Sequence, residues 1–107
     1  MSKPDPARVF SALGDPIRLE LLTRLSSAGE LPLGKLVADC GVTRQGATKH
    51  LQVLEFAGLI EAESRGRERH VRLRQGGLSE AQDHLARISR GWEDALGRLK
   101  AHVERRQ

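Results

Sequence analysis

The residues of this 107-residue chain whose types and spacing could do chemistry are concentrated between Thr43 and Gln52, a stretch of hydrogen-bonding and cationic side chains. At about 100° per residue on a helix, Ala47, Leu51 and Leu54 gather on one side. Gln45 and Lys49 fall nearly opposite, with Arg44, Thr48 and Gln52 alongside. Arginine and lysine pair with guanine and glutamine pairs with adenine, while threonine offers a hydroxyl or meets a thymine methyl, so such a face could read base edges in a major groove. An ordinary solvated helix face is the plainer reading of the same pattern. Thr43 suits the N-cap, and the helix N-terminus behind it would also receive a phosphate. His50 borders the polar arc, where phosphate contact and packing both remain open. A second cationic group, Arg65, Arg67 and Arg69, surrounds Gly66 and is relieved by Glu68. It fits a polyanion contact or a solubilising hairpin tip.

Other chemistries lack their parts. There is no phosphate-cradling glycine loop, no nucleophile with an evident base and no spaced carboxylate pair, so neither an enzyme nor a cofactor is expected. No metal is expected, because Cys40 is the single thiol and the four histidines are dispersed, with His84 and His102 far apart. Cys40 reads as a small buried residue on an apolar helix face, with a thiol switch as the alternative. The aromatic residues Phe10, Phe56 and Trp92 lie in apolar stripes or at a helix end, which disfavours stacking on single strands.

The elements that must position these residues are marked by caps and periodicity. Asp5-Pro6 and Asp15-Pro16 each place an N-cap before a proline at the first helical position. The first helix carries Val9, Phe10 and Leu13 and ends at Gly14, which suits a left-handed turn. The second presents Ile17, Leu21, Leu22 and Leu25 on one face and stops near Gly29, with Leu19 outside that stripe. The third presents Leu33, Leu36, Val37 and Cys40 and ends at Gly41. The fourth runs from Thr43 to Gly58. Helix three, a short turn containing Gly41, and helix four form a helix-turn-helix by spacing and turn chemistry. From Ile60 the period becomes two: Ile60 and Ala62, then Val71 and Leu73, predict a two-stranded antiparallel hairpin with the arginine cluster at its tip. Ser79 is read as the cap of a last helix reaching about Arg105. Its residues Leu85, Ile88, Trp92, Leu96, Leu99 and Val103 form the seam one helix shows to a partner helix. The predicted fold is mainly α: four helices, a small hairpin wing and a fifth helix, in one winged-helix domain over residues 1–107.

The totals agree with that reading. Lysine plus arginine number 18 against 14 acidic residues, a formal charge of +4 that favours a polyanionic partner if the cations share one surface. One cysteine excludes an intrachain disulfide and suits a reducing compartment. The polar start and the lack of a long apolar run give no signal peptide and no membrane span, so cytoplasmic residence without a membrane partner is expected. The last helix mixes both signs of charge on its polar face, unlike a lipid-binding helix.

The stretches ALGDPIRLELLTRL, Ala12 to Leu25, and VTRQGATKHLQVLEFAGLIEAESRGRERHVRL, Val42 to Leu73, resemble the ArsR family of bacterial winged-helix repressors. The resemblance implies a homodimer built through the first helix (Val9, Phe10) and the last, operator binding that blocks transcription, and release by an inducer. Its DNA contacts carry over onto Thr43, Arg44, Gln45, Thr48, Lys49 and His50, with Arg65, Arg67 and Arg69 in the wing. Metal-sensing members carry a cysteine pair in helix three or spaced ligands on the last helix, and this chain has neither. The function expected is a dimeric regulator of double-stranded DNA, without a recognisable inducer. A winged-helix protein-interaction module, with its basic wing on an acidic partner, is the alternative.

Overall fold

The computed structural model describes residues 5–105. Five helices and three strands follow in the order α1 (Pro6–Leu13), α2 (Pro16–Ala28), β1 (Glu30–Pro32), α3 (Leu33–Val37), α4 (Arg44–Phe56), β2 (Ile60–Arg65), β3 (Glu68–Leu73) and α5 (Ser79–Arg105). Both Asp-Pro starts are made as the sequence implies. Asp5 Oδ1 accepts the Ala7 N–H at 3.0 Å, and Asp15 Oδ1 accepts those of Ile17 and Arg18 at 2.8 and 3.0 Å. Gly14 departs from expectation: its φ is −78°, so α1 ends without a left-handed residue. Gly58 behaves as predicted, with φ +81°, its N–H bonded to the Glu55 carbonyl and the Leu59 N–H to that of Leu54.

Two elements differ from the sequence reading. Helix three ends at Val37, and Asp39 (φ +52°) and Gly41 (φ +90°) both adopt left-handed backbone. Cys40 therefore lies in the turn, buried beneath it, and not on a helical face. The wing is three-stranded, not two-stranded. Glu30–Pro32 pairs antiparallel with β3, Leu31 opposite Val71, to give the order β1-β3-β2. A three-residue run ending in proline carries no period-two signal, and proline is tolerated at a sheet edge because its missing donor faces outward. Ser79 is a smaller correction: its hydroxyl donates to the Gly76 carbonyl at 2.6 Å and does not cap α5.

The core joins Val9 and Ala12 of α1, Leu21 and Leu25 of α2, Leu36 of α3, Ala47, Leu51 and Leu54 of α4, and Ile60 and Val71 of the sheet. All but Ala12 belong to the predicted stripes, whose Phe10, Leu13, Ile17 and Leu22 are only partly buried against this core. Ile60 opposite Leu73 and Ala62 opposite Val71 put the apolar residues of the wing on one face. Among the described residues no buried polar side-chain atom lacks a hydrogen-bond partner. Ala81 is the only buried residue of α5, which leaves the body of the molecule at its base.

Candidate nucleic-acid interface

The helix-turn-helix is held by two arginines from α2. Arg24 donates to the carbonyls of Leu36 (2.9 Å), Ala38 and Asp39 (3.3 Å), satisfying acceptors left open where α3 stops. Glu20, at 3.1 Å, orients it from the preceding turn. Arg18 donates through Nε to the Ala12 carbonyl at 2.6 Å and through Nη1 meets Nδ1 of His50 at 3.1 Å. One side chain thus ties the end of α1 and the start of α2 to α4. Asp15 lies 3.8 Å from the same imidazole nitrogen. Its carboxyl is held below the usual carboxylate range, chiefly by the Arg18 backbone N–H and further by that of Ile17, against the opposing effect of burial.

These bonds sort the residues of α4. Thr43 caps the helix, its Oγ1 accepting the Gly46 N–H at 3.0 Å. Arg44, Gln45 and Lys49 are exposed on the side away from Ala47, Leu51 and Leu54. Thr48 is half-buried, and its hydroxyl donates to the Arg44 carbonyl at 2.9 Å. His50 is half-buried, with its Nδ1 3.1 Å from Arg18 Nη1, which ties the ring to α2.

The wing sorts its arginines in the same way. Gly66 (φ +64°) opens a two-residue turn in which Arg67 keeps a negative φ, a type II′ connection matched to strand twist. Arg65 is turned back onto Glu30 at 2.9 Å and Glu63 at 3.4 Å. Arg72, which sequence reasoning did not single out, binds Glu61 at 2.9 Å and Glu63 at 3.0 Å. Glu63 is held below its ordinary range first by the Arg72 hydrogen bond, while Arg72 is pushed further up. Arg67 and Arg69 carry no ion pair among the described residues. With Arg44 and Gly34-Lys35 of α3 they line a cleft of about 380 Å³ whose one acidic wall is Glu68. Lys35 was missed, although a lysine between the inward Leu33 and Leu36 is the signal that could have found it. Cations from three separated segments so converge beside the exposed N-terminus of α4, leaving a surface suited to a phosphodiester chain.

A helix-turn-helix whose second helix presents donors, with a basic wing beside it, defines a winged helix-turn-helix DNA-binding regulator. Comparison with known proteins specifies the class. A helix-turn-helix domain family matches residues 13–63. The HTH-type transcriptional regulator YuzN of Bacillus subtilis, uncharacterized, is 42% identical across 57% of this chain and 73% of its own. The HTH-type transcriptional regulator CmtR of Mycobacterium bovis is 34% identical across 77% of this chain and 69% of its own. Among solved structures, an ArsR-like transcriptional regulator from Rhodococcus sp. RHA1 is 36% identical, with a TM-score of 0.70 over 89% of each chain. The homodimeric winged helix-turn-helix DNA-binding domain of Mb0332 from Mycobacterium bovis, a possible ArsR-family regulator, is 28% identical, with a TM-score of 0.59 over 84% of this chain and 80% of its own. The chain belongs to the ArsR family of winged helix-turn-helix transcriptional regulators.

The seam residues Leu85, Ile88, Trp92, Leu96, Leu99 and Val103 are all exposed. Phe10 is half-buried against His84, their ring centroids 6.3 Å apart, whereas Val9 is 0% exposed within this single chain and offers no area to a partner. Among the described residues no three metal-ligating side chains converge, and no helix is long and apolar enough to cross a membrane.

Proposed function

We propose that this chain is a homodimeric repressor that binds a pseudo-palindromic operator, with Arg44, Gln45, Thr48 and Lys49 reading bases and Thr43, Arg67, Arg69 and Lys35 holding phosphates. The observation that carries the reading is the cationic cleft between α3, α4 and the wing tip, which continues from the exposed face of α4. Arg65 and His50 are assigned to positioning, since Arg65 pairs with Glu30 and Glu63 and the Nδ1 of His50 meets Arg18. A two-fold dimer through α5 sets the two reading helices about 34 Å apart, one helical turn of DNA. The exposed apolar seam supports the dimer, because a row of six large apolar side chains on one helix is otherwise left to water.

Selection from random duplex DNA tests this reading. It should enrich two inverted half-sites centred about 10 base pairs apart, and placing the selected site across a promoter should lower reporter output. Recovery of no motif would instead favour a winged-helix module for acidic protein partners.

A further inference from the structure

An apolar groove of about 390 Å³ opens between α2 and the segment that joins the wing to α5. Six leucines wall it: Leu13, Leu19 and Leu22 from the first two helices, then Leu59, Leu73 and Leu78 from the chain around the wing. Leu19, Leu73 and Leu78 are exposed, and Leu19 lies off the inward stripe of α2, so core packing does not account for it. Exposed leucines that cluster around a concavity mark a binding site, where single ones would not.

The polar atoms of the groove define what it can hold. The hydroxyls of Thr23, Ser26 and Ser79 all donate to backbone carbonyls, those of Leu19 at 2.8 Å, Thr23 at 2.8 Å and Gly76 at 2.6 Å. They have no proton left for a ligand. Donors come from Gln82 and Arg74, and the half-buried Arg74 is the one ionic residue among those that line the groove. An anionic head group is matched there, and a cationic one is not. None of the lining side chains is aromatic, so a planar ring finds no stacking partner, while a flexible aliphatic chain meets leucine throughout. At about 30 Å³ for each water-sized group, the groove holds roughly a dozen non-hydrogen atoms, the size of a linear carboxylate of about ten carbons.

We propose that this groove is an effector site for a free medium-chain fatty acid, its tail on the leucines and its carboxylate on Arg74, and that filling it weakens operator binding. The site stands on the groove alone, and its effect on DNA rests on the operator reading above. The coupling lies in one wall. Leu59 directly follows Gly58, the left-handed end of α4, and its carbonyl accepts the Arg74 N–H at 2.9 Å. Gly77, which also lines the groove, packs so closely that a Cβ on it would stand 2.5 Å from the Gly58 carbonyl oxygen. The end of the reading helix, the end of the wing and the entry to α5 meet there, and α2 stands across from them. A chain lodged between favours whichever separation of the two walls fits it, and so shifts the set of α4 and the wing against α5.

Calorimetric titration of the full chain, stripped of bound lipid on a hydrophobic resin, tests the site with decanoate below its micellar concentration. Decanoate should bind one to one with the chain, and decanol more weakly. Arg74→Gln should bring decanoate down to the level of decanol. Leu19→Asp and, independently, Leu78→Asp, both at exposed positions, should abolish binding in chains that remain folded by circular dichroism. Saturating decanoate should lower operator affinity by at least about fivefold in the parent chain and not in Leu19→Asp. No heat of binding, or binding that both aspartate variants leave intact, overturns the site. Equal affinity for decanoate and decanol overturns the carboxylate assignment, and binding without loss of operator affinity overturns the effector role. Dissociation of the dimer on binding, seen by sedimentation, would make a second copy the occupant of the groove and overturn the proposal as well. Decanoate binding to a chain that selects no motif from random DNA would instead uphold the site and remove the operator reading.

Discussion

Cationic side chains in this regulator divide by whether the fold has already claimed them. Arg18, Arg24, Arg65 and Arg72 are bound within the chain, while Arg44, Lys49 and Arg67 are left outward. The division predicts different losses. Arg18→Ala should lower stability by about 1–3 kcal/mol in urea unfolding, because it breaks bonds from a charged donor to the α1 end and to His50. Gln45→Ala should leave stability unchanged, cost about 1–3 kcal/mol on the selected operator and relax preference at one base pair. Arg67→Ala should weaken operator and random DNA alike and flatten the salt dependence by about one counterion. Equal losses on both DNAs from Gln45→Ala would remove it from base reading. Asp15 supplies a pH prediction. Its carboxyl is depressed in the folded chain, so its stabilising contribution is complete above the ordinary carboxylate range and is lost as pH falls through and below it. Asp15→Asn keeps a capping oxygen but does not ionise. The variant should therefore be the less stable at pH 7, with the difference closing toward pH 3 when urea midpoints are compared. Exposure of Gln45 and Lys49 was legible from a helical wheel. Which arginines the fold would claim was not, because their partners Glu30, Glu61 and the Ala12 carbonyl are remote in sequence or belong to the backbone.

Local signals served the elements in proportion to how local their causes are. Both Asp-Pro caps, the Thr43 cap and the Gly58 terminus depend on a few adjacent residues, and each forms where its chemistry implies. Strand β1 has no such cause. It extends because β3 offers an unpaired edge, so it arises from pairing and not from propensity. Helix α3 is shortened for a similar reason: Arg24 supplies hydrogen bonds that let the backbone leave the helix before Gly41. The joint between wing and α5 is equally non-local. A Cβ on Gly77 would stand 2.5 Å from the Gly58 carbonyl oxygen, so the chain entering α5 touches the chain leaving α4 backbone to backbone. Gly77→Ala must separate them. It should cost about 1–3 kcal/mol by the overpacking it forces, read as a lower denaturant midpoint with the slope unchanged. An unaltered midpoint would mean that this joint yields freely.

At the scale of the molecule the chain is extended, about 69 × 33 × 21 Å with a radius of gyration of 18.6 Å, against roughly 13 Å for a compact domain of about 100 residues. The excess is α5, a rod of about 40 Å with one buried residue. Trp92, 66% exposed in the single chain, reports on whatever covers it. Its emission should lie to the blue at micromolar concentration and move red on dilution, in step with the sedimentation coefficient. Emission that stays red while the coefficient is dimeric would place the interface elsewhere. Taken by itself, the sequence determined the helical periods, the Asp5, Asp15 and Thr43 caps, most of the inward residues of α2 and α4 and the donor-bearing face of α4, because each follows from spacing and short-range bonding. Tertiary structure alone decided that the wing has a third strand, that Arg65 folds back onto Glu30 and His50 meets Arg18, that Lys35 joins Arg44 and the wing tip around one cleft, and that an apolar groove opens at the base of α5. Those outcomes depend on distances between segments tens of residues apart, which are fixed only when the shared core brings α2, the sheet and α5 together.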